Sequence, residues 1–186
     1  MRKTVLAALA ASSLAMLGAC SQAGDDAEGT AATAEPSTET LAQALGNADG
    51  MNTVATALGD VGLAQVFDGA GSYTILVPND AAFEKLGDAG KTLLEPEQRA
   101  AMAAVLRDHI VVGYLEPADI ETAIESKGGA VEAKTMGGHK LTFSKDGDAI
   151  VVTSEDGSRA TVAGDAVRSS NGVAIPMDGL LKKLVA

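Results

Sequence analysis

The sequence predicts an α+β domain in which helices come first and antiparallel strands follow. Between residues 41 and 127 the apolar residues recur mainly at three- and four-residue spacing, whereas after residue 129 they fall in short β-rich runs. Two Asp-Gly pairs, at 146–147 and 156–157, separate three of those runs, and Asp-Gly is a strong hairpin signal. Helices followed by strands are typical of the α+β class. We expect the strands to form a sandwich or wedge.

In the first half, glycine or proline marks the ends of most predicted helices. Gly46, Gly59 and Gly87 follow the first, second and fourth of these segments, and glycine commonly ends helices. Pro96 and Pro117 stand where the first turn of a helix tolerates proline. One strand interrupts the helices at residues 72–77, which are rich in β-formers and end at a proline. The predicted helical segments are 41–45, 51–58, 63–67, 81–86, 96–110 and 117–127.

The second half contains the remaining predicted strands. Their apolar residues alternate or form short runs between turn residues, as half-buried and buried strands do. Asn171-Gly172 precedes the last strand and predicts a turn with a positive φ. The predicted strand segments are 131–135, 141–143, 150–152, 161–163, 166–167 and 172–176.

The composition argues against several classes of function. The chain has 14 Lys and Arg against 25 Asp and Glu, a net charge of -11, and five aromatic residues without Trp. Nucleic-acid binding needs clustered basic residues or aromatic platforms, so we do not expect it. One Cys and two His make an internal disulfide or a Cys- or His-rich metal site unexpected. No nucleophile motif or acid–base pair is recognisable, so we expect neither an enzyme nor a cofactor.

The N-terminus has the features of a targeting signal. Arg2 and Lys3 precede 14 apolar or small residues, 4–17, a run that is too short to span a bilayer but suits a secretory signal. The run ends in Leu17-Gly18-Ala19-Cys20, which resembles the lipobox of bacterial lipoproteins. The resemblance implies that residues 1–19 are removed and that Cys20 carries lipid. The alternative is an ordinary secretory signal followed by a Cys without a role.

Residues 20–37 are expected to be a lipidated Cys followed by a disordered linker, and residues 38–186 the folded domain. The 17 residues after Cys20 contain no large apolar side chain and no basic one. Removal of the signal takes away two basic residues and changes the net charge from -11 to -13. Ser21, in place of an Asp, implies by the same resemblance the outer membrane of a bacterial cell envelope. Whether the domain faces the periplasm or the cell surface is left open.

Three segments of the domain resemble signatures of the fasciclin domain family. Residues 72–83 read SYTILVPNDAAF, similar to the first signature, and residues 109–113 read HIVVG, similar to the second. Residues 169–173 read SSNGV, similar to the closing signature. They occur in the family's order, so the resemblance implies one fasciclin-like domain over about residues 41–186. It also implies that Phe83 is a core ring.

Two departures from the family pattern limit what the resemblance implies. Asp108 stands before His109 where animal members often have the Tyr linked to adhesion, and residues 174–176 lack a second His. Binding of receptors in the animal manner is therefore not expected. We nevertheless expect the binding surface near Asn79, Asp80 and His109. The alternative is structural: helix caps for the first two and a buried, hydrogen-bonded His109. We expect His139 to be an exposed turn residue without a metal.

We expect a non-enzymatic, lipid-anchored binding or adhesion module whose partner is an envelope or matrix protein or a polysaccharide. Some fasciclin-like proteins of algae carry pigments, so the alternative is a carrier of a hydrophobic small molecule such as a carotenoid. Met and small apolar residues are compatible with an adaptable apolar groove. An exposed apolar cleft would favour the carrier and a convex polar surface would favour adhesion. The third hypothesis is that the protein is a purely structural spacer in the envelope.

Overall fold

The structure of the protein, a computed structural model, describes residues 38–184. The predicted signal peptide, Cys20, the linker and the last two residues lie outside the described residues. No helix in the described part has the length and apolar character needed to cross a membrane. The α-helices are α1 (Leu41–Asn47), α2 (Asn52–Asp60), α3 (Asp80–Lys85), α4 (Asp88–Leu93), α5 (Arg99–Asp108) and α6 (Pro117–Lys127). The 3₁₀ helices are Ala64–Asp68 and Pro96–Gln98.

The strands form two four-stranded sheets, in the orders β2-β1-β8-β7 and β3-β4-β5-β6. Every pair within them is antiparallel except β1 and β8, which run parallel with Tyr73 opposite Gly172. Two isolated bridges connect the sheets: Val111 of β2 pairs with Thr135 after β3, and Val162 after β6 pairs with Met177 of β8. The strands are β1 (Tyr73–Pro78), β2 (Ile110–Val112), β3 (Val131–Lys134), β4 (Lys140–Asp146), β5 (Ala149–Ser154), β6 (Arg159–Thr161), β7 (Val167–Ser169) and β8 (Gly172–Met177).

The first sheet is the middle layer of the domain, and its two central strands, β1 and β8, are buried on both faces. Alternate residues of β1 point to opposite faces, so Ile75 and Val77 pack with the helices while Leu76 packs with the second sheet. On β8, Ala174 packs with the helices and Ile175 packs with the second sheet. Each fully buried aliphatic side chain contributes roughly 1.5–3 kcal/mol relative to an exposed one. The pair of central strands therefore stabilises both halves of the core.

The predicted α+β class is confirmed, with three local differences. Helix α4 was not predicted, and the helix predicted to reach residue 110 ends at Asp108. His109 donates its N–H to the carbonyl of Leu106 at 3.0 Å, which tightens the last turn, and β2 begins at the next residue. Gly172 has no positive φ; instead, a Cβ there would lie 2.5 Å from the carbonyl oxygen of Tyr73. This glycine is needed for close contact with β1.

Asn171 joins two separate segments of the helical half. Its Oδ1 accepts the N–H of Leu41 at 2.8 Å, and its Nδ2 donates to the carbonyls of Phe67 and Gly69 at 2.7 and 2.8 Å. The side chain is buried, so no water replaces these bonds if they are lost. It thereby holds the start of α1 and the first 3₁₀ helix at the turn before β8.

We expect Asn171→Ala to lower the free energy of unfolding by about 2–4 kcal/mol, because it leaves buried backbone groups without partners. Urea denaturation followed by circular dichroism measures this loss. Asn47→Ala is the matched control, since Asn47 makes only an exposed bond to Glu39 at 3.4 Å. A loss below about 0.5 kcal/mol for Asn171→Ala would contradict this role.

Candidate functional site

The two residues after β1 hold the starts of two different helices. Asn79 Oδ1 accepts the N–H of Ala82 at 2.8 Å and caps α3. Asp80 was expected to cap this helix, but that expectation is wrong. Its Oδ1 accepts the N–H of Thr53 at 2.8 Å and its Oδ2 accepts the side-chain amide of Asn52 at 3.2 Å. The carboxylate therefore caps α2, the α-helix that precedes α3 in the chain.

These hydrogen bonds also set the charge of Asp80. Partial burial raises the pKa of the carboxyl, but the bonds from Thr53 and Asn52 outweigh it and hold the pKa below its ordinary value. Asp80 is therefore ionised at neutral pH. A negative charge at the N-terminus of α2 is also favoured by the helix dipole.

Helix α2 forms one wall of a groove that we treat as the candidate binding site. The opposite wall comes from the end of α4, the second 3₁₀ helix and the start of α5, and the groove encloses about 530 Å³. Ala57, Leu93 and Met102 are buried and form its floor, while Leu94 at its rim is 45 % exposed. The lining consists of Asn52, Thr53, Thr56, Ala57, Asp60, Val61, Leu93, Leu94, Glu95, Pro96, Arg99 and Met102.

His109 lies inside the protein at the far end of α5. Its Nδ1–H donates to the carbonyl of Val105 at 2.8 Å, and its Nε2 accepts the N–H of Leu181 at 2.9 Å. Both bonds are satisfied only by the neutral ring with its proton on Nδ1. Burial lowers the pKa of His109 below its ordinary value. The ring is 1 % exposed, so a partner at the surface of this structure does not touch it.

Asp108 anchors a charged cluster that the sequence patterns did not reveal. Its Oδ1 accepts from His139 Nδ1 at 2.6 Å and its Oδ2 accepts from Lys182 Nζ at 3.1 Å. The carboxylate is buried, whereas the His139 side chain is 52 % exposed. A Cβ at Gly137 would collide with this carboxylate, so the loop after β3 fits closely over it. One feature of the sequence could have indicated this cluster: Asp108 is a charged residue at the end of the apolar face of α5.

A second, smaller cavity lies beside this cluster. It has a volume of about 270 Å³, and Ser154, Asp156 and His139 are among the residues that line it. The Ser154 hydroxyl donates to Asp156 at 2.6 Å instead of to His139, so the described residues contain no activated serine at this cavity. Within residues 38–184, no group of His, Asp and Glu is arranged to hold a metal ion.

The structure thus separates the three predicted binding residues. Asp80 contacts the groove lining through Asn52 and Thr53, and Asn79 lies beside it. His109 does not line the groove. Internal hydrogen bonds account for all three side chains, and a direct binding role for them stays a prediction. His139 is exposed as expected, although its bond to Asp108 was not foreseen. Cys20, the predicted lipidation residue, falls outside the described part of the chain.

Comparison with known proteins agrees with this architecture. The sequence model of the fasciclin domain matches residues 49–183. Among solved structures, the chain is similar to a FAS1 domain pair from the insect cell adhesion molecule fasciclin I, with a TM-score of 0.69 and 17 % sequence identity. The match covers 81 % of this chain and 53 % of the insect chain, so the protein spans about half of that structure. A search of curated protein sequences finds no match.

We expect the stability of the domain to fall when the pH is lowered below about 6.5. The unfolded chain protonates His109 at its ordinary pKa of 6.5, while the folded chain resists protonation. Stability from the neutral ring is therefore complete above that pH and is lost towards the lower folded pKa, by at most about 1.4 kcal/mol per pH unit. Urea unfolding at pH 7.5 and 5.5 measures it.

His109→Gln should remove this part of the pH dependence, whereas His139→Gln should leave it in place. An equal slope in the wild-type protein and the His109→Gln variant would contradict the assignment.

Asp80→Ala should destabilise the domain by about 1–2 kcal/mol, because α2 loses its cap. Thermal and urea unfolding measure the change. Asp60→Ala serves as the control, since Asp60 is exposed at the other end of the same helix. If the two variants are equally stable, Asp80 does not cap α2.

Proposed function

This chain belongs to the fasciclin domain family, and we propose that it is a non-enzymatic binding module held in a bacterial cell envelope by lipid on Cys20. The observation that carries the proposal is the family match over residues 49–183, which includes most of the described domain. The insect structure of the same fold comes from a cell adhesion molecule, which supports an adhesion or binding role.

The N-terminal sequence supports the anchoring part of the proposal. Leu17-Gly18-Ala19-Cys20 resembles a lipobox, and the acidic segment after it contains no side chain suited to a core. A flexible chain of this length has a mean reach of roughly 20–25 Å. The domain would then remain close to the membrane and still change its orientation. Its acidity disfavours direct adsorption to anionic lipid, so the lipid on Cys20 would provide the attachment.

We further propose that the groove between α2 and α5 is the binding face. The partner would be an envelope or matrix protein or a polysaccharide that places apolar groups against Leu93, Leu94 and Met102. Single contacts of this size are weak, but many anchored copies on one surface bind together with much higher avidity. The groove is thus suited to adhesion without any catalytic step.

A carrier of a hydrophobic small molecule, such as a carotenoid, is the second candidate function. The groove favours it, because a volume of about 530 Å³ and an apolar floor are usual for sites of small ligands. The two candidates share one site and differ in what occupies it.

The mass of the intact protein, purified gently from its own envelope, tests these proposals. We expect native mass spectrometry to show a chain that begins at Cys20 with lipid attached, alone or with a bound macromolecule. An added species of a few hundred daltons would favour the carrier. An unlipidated N-terminus would overturn the anchoring, and Cys20→Ala is the control that should lose the lipid and leave the membrane fraction.

A further inference from the structure

We propose that the C-terminal segment, residues 178–184, is a pH-sensitive strap, which protonation of His109 releases from the domain while the two sheets stay folded. Leu181 and Lys182 of this strap form part of the wall of the second cavity. The proposed function is a separate matter, because neither the strap nor His109 lines the groove between α2 and α5. Release would expose apolar side chains of the strap and open that cavity wall, so it would give the domain a surface that is available only in acid.

The strap is held by side chains and not by a helix or a sheet. Residues 178–184 form neither kind of element. The N–H of Leu181 donates to Nε2 of His109 at 2.9 Å. The N–H of Lys183 donates to Oδ2 of Asp156 at 2.8 Å. A segment attached in this way can open locally, without loss of the hydrogen bonds between the strands.

Apolar burial and an ion pair keep the strap closed at neutral pH. Leu180 is buried with the helices and Leu181 is buried with the second sheet, and burial of such side chains favours the closed form. The ammonium of Lys182, the next residue, donates to the buried carboxylate of Asp108 at 3.1 Å. The bond to His109 is therefore one of several contacts, and its loss shifts the balance between closed and open forms.

A proton on His109 removes the acceptor that the strap uses. The Nδ1–H already donates to the carbonyl of Val105, so an added proton goes to Nε2. Nε2–H would then face the N–H of Leu181, and two donors form no hydrogen bond. Both groups are buried in the closed form, where no water replaces the lost partner. Opening of the strap gives both donors access to water.

Charged groups face the His109 ring from its own element and from two others. Asp108 precedes it in the chain, Lys182 lies on the strap, and Asp156 lies in the turn between β5 and β6. Burial has the largest influence and lowers the pKa of His109, while the bond to Val105 and the two carboxylates raise that pKa and Lys182 lowers it. The net effect is a lowered pKa, so the closed form resists a proton that the open form accepts.

Two other titratable groups beside the strap keep their bonds in mildly acidic solution. Partial burial raises the pKa of Asp156, but hydrogen bonds from two serines and from the strap outweigh it and hold that pKa well below its ordinary range. His139 donates to Asp108 from Nδ1 with or without a second proton on Nε2. Of these three groups, His109 is thus the one whose protonation near pH 6 opposes the closed strap.

Amide hydrogen exchange of the full chain tests the proposal, followed by NMR at pH 7.5 and 5.5 and corrected for the intrinsic effect of pH on exchange. We expect the opening constant at the Leu181 amide to rise about tenfold at the lower pH. The open form takes up a proton at the ordinary His109 pKa of 6.5, whereas the closed form resists it. The amides of β1 and β8 should exchange more slowly than Leu181 at both pH values.

Two results would overturn the proposal. The first is an opening constant at Leu181 that does not change with pH. The second is exchange of Leu181 at the same rate as the amides of β1 and β8, because the opening would then be global. Low concentrations of urea separate these cases, since local opening exposes little surface and should respond weakly to urea. Neither result bears on lipid at Cys20 or on a binding partner, which the mass measurement decides.

Matched variants assign the effect to His109 and to the strap. His109→Gln keeps an acceptor for the strap but takes up no proton, so the rise at low pH should disappear, whereas His139→Gln should keep it. Lys182→Gln removes the bond to the buried carboxylate and should raise the opening constant severalfold at both pH values. Lys183→Gln makes the same change at the exposed neighbouring position and should have no such effect. A rise that persists in His109→Gln, or equal effects of the two lysine variants, would overturn the proposal.

Discussion

The parallel pairing of β1 with β8 is the constraint on which the rest of the domain depends. These strands are about 100 residues apart in sequence, and their six-residue register from Tyr73 to Pro78 joins the helical half of the domain to its last strand. Such a long closure is costly in entropy and is offset only when both faces of the pair are buried. The contact between Gly172 and the backbone of Tyr73 leaves no space for a side chain. Asn171 then fixes α1 at the same point.

The same pair positions the candidate groove. β1 ends at Pro78, so Asn79 and Asp80 emerge from the buried layer at a fixed place. Asp80 fixes the start of α2 relative to the end of β1 through two hydrogen bonds, and α2 forms one wall of the groove. Asp80 therefore fixes the position of α2, while its predicted part in binding is untested by these contacts.

Local chemistry explains which parts of the fold were predictable from sequence. The Asp-Gly turns at 146–147 and 156–157 and the left-handed Gly128 after α6 follow from single residues and their neighbours. The α+β class followed from the change in periodicity. The parallel pair, the reach of Asp80 to α2 and the Asp108–His139–Lys182 cluster all join distant segments. No local pattern reports such a contact, and an apolar run such as 110–112 fits a helix face as well as a strand.

We propose that this fasciclin domain acts by binding through the face between α2 and α5. Photo-crosslinking within the intact envelope tests this most directly, with a benzophenone side chain placed at residue 94 on the exposed rim of the groove or at residue 122 on α6. We predict that light links the residue-94 variant to a partner or to a small ligand, identified by mass spectrometry, and leaves the residue-122 variant unlinked. Crosslinks from residue 122 with none from residue 94 would contradict this proposal and move the binding face to another surface.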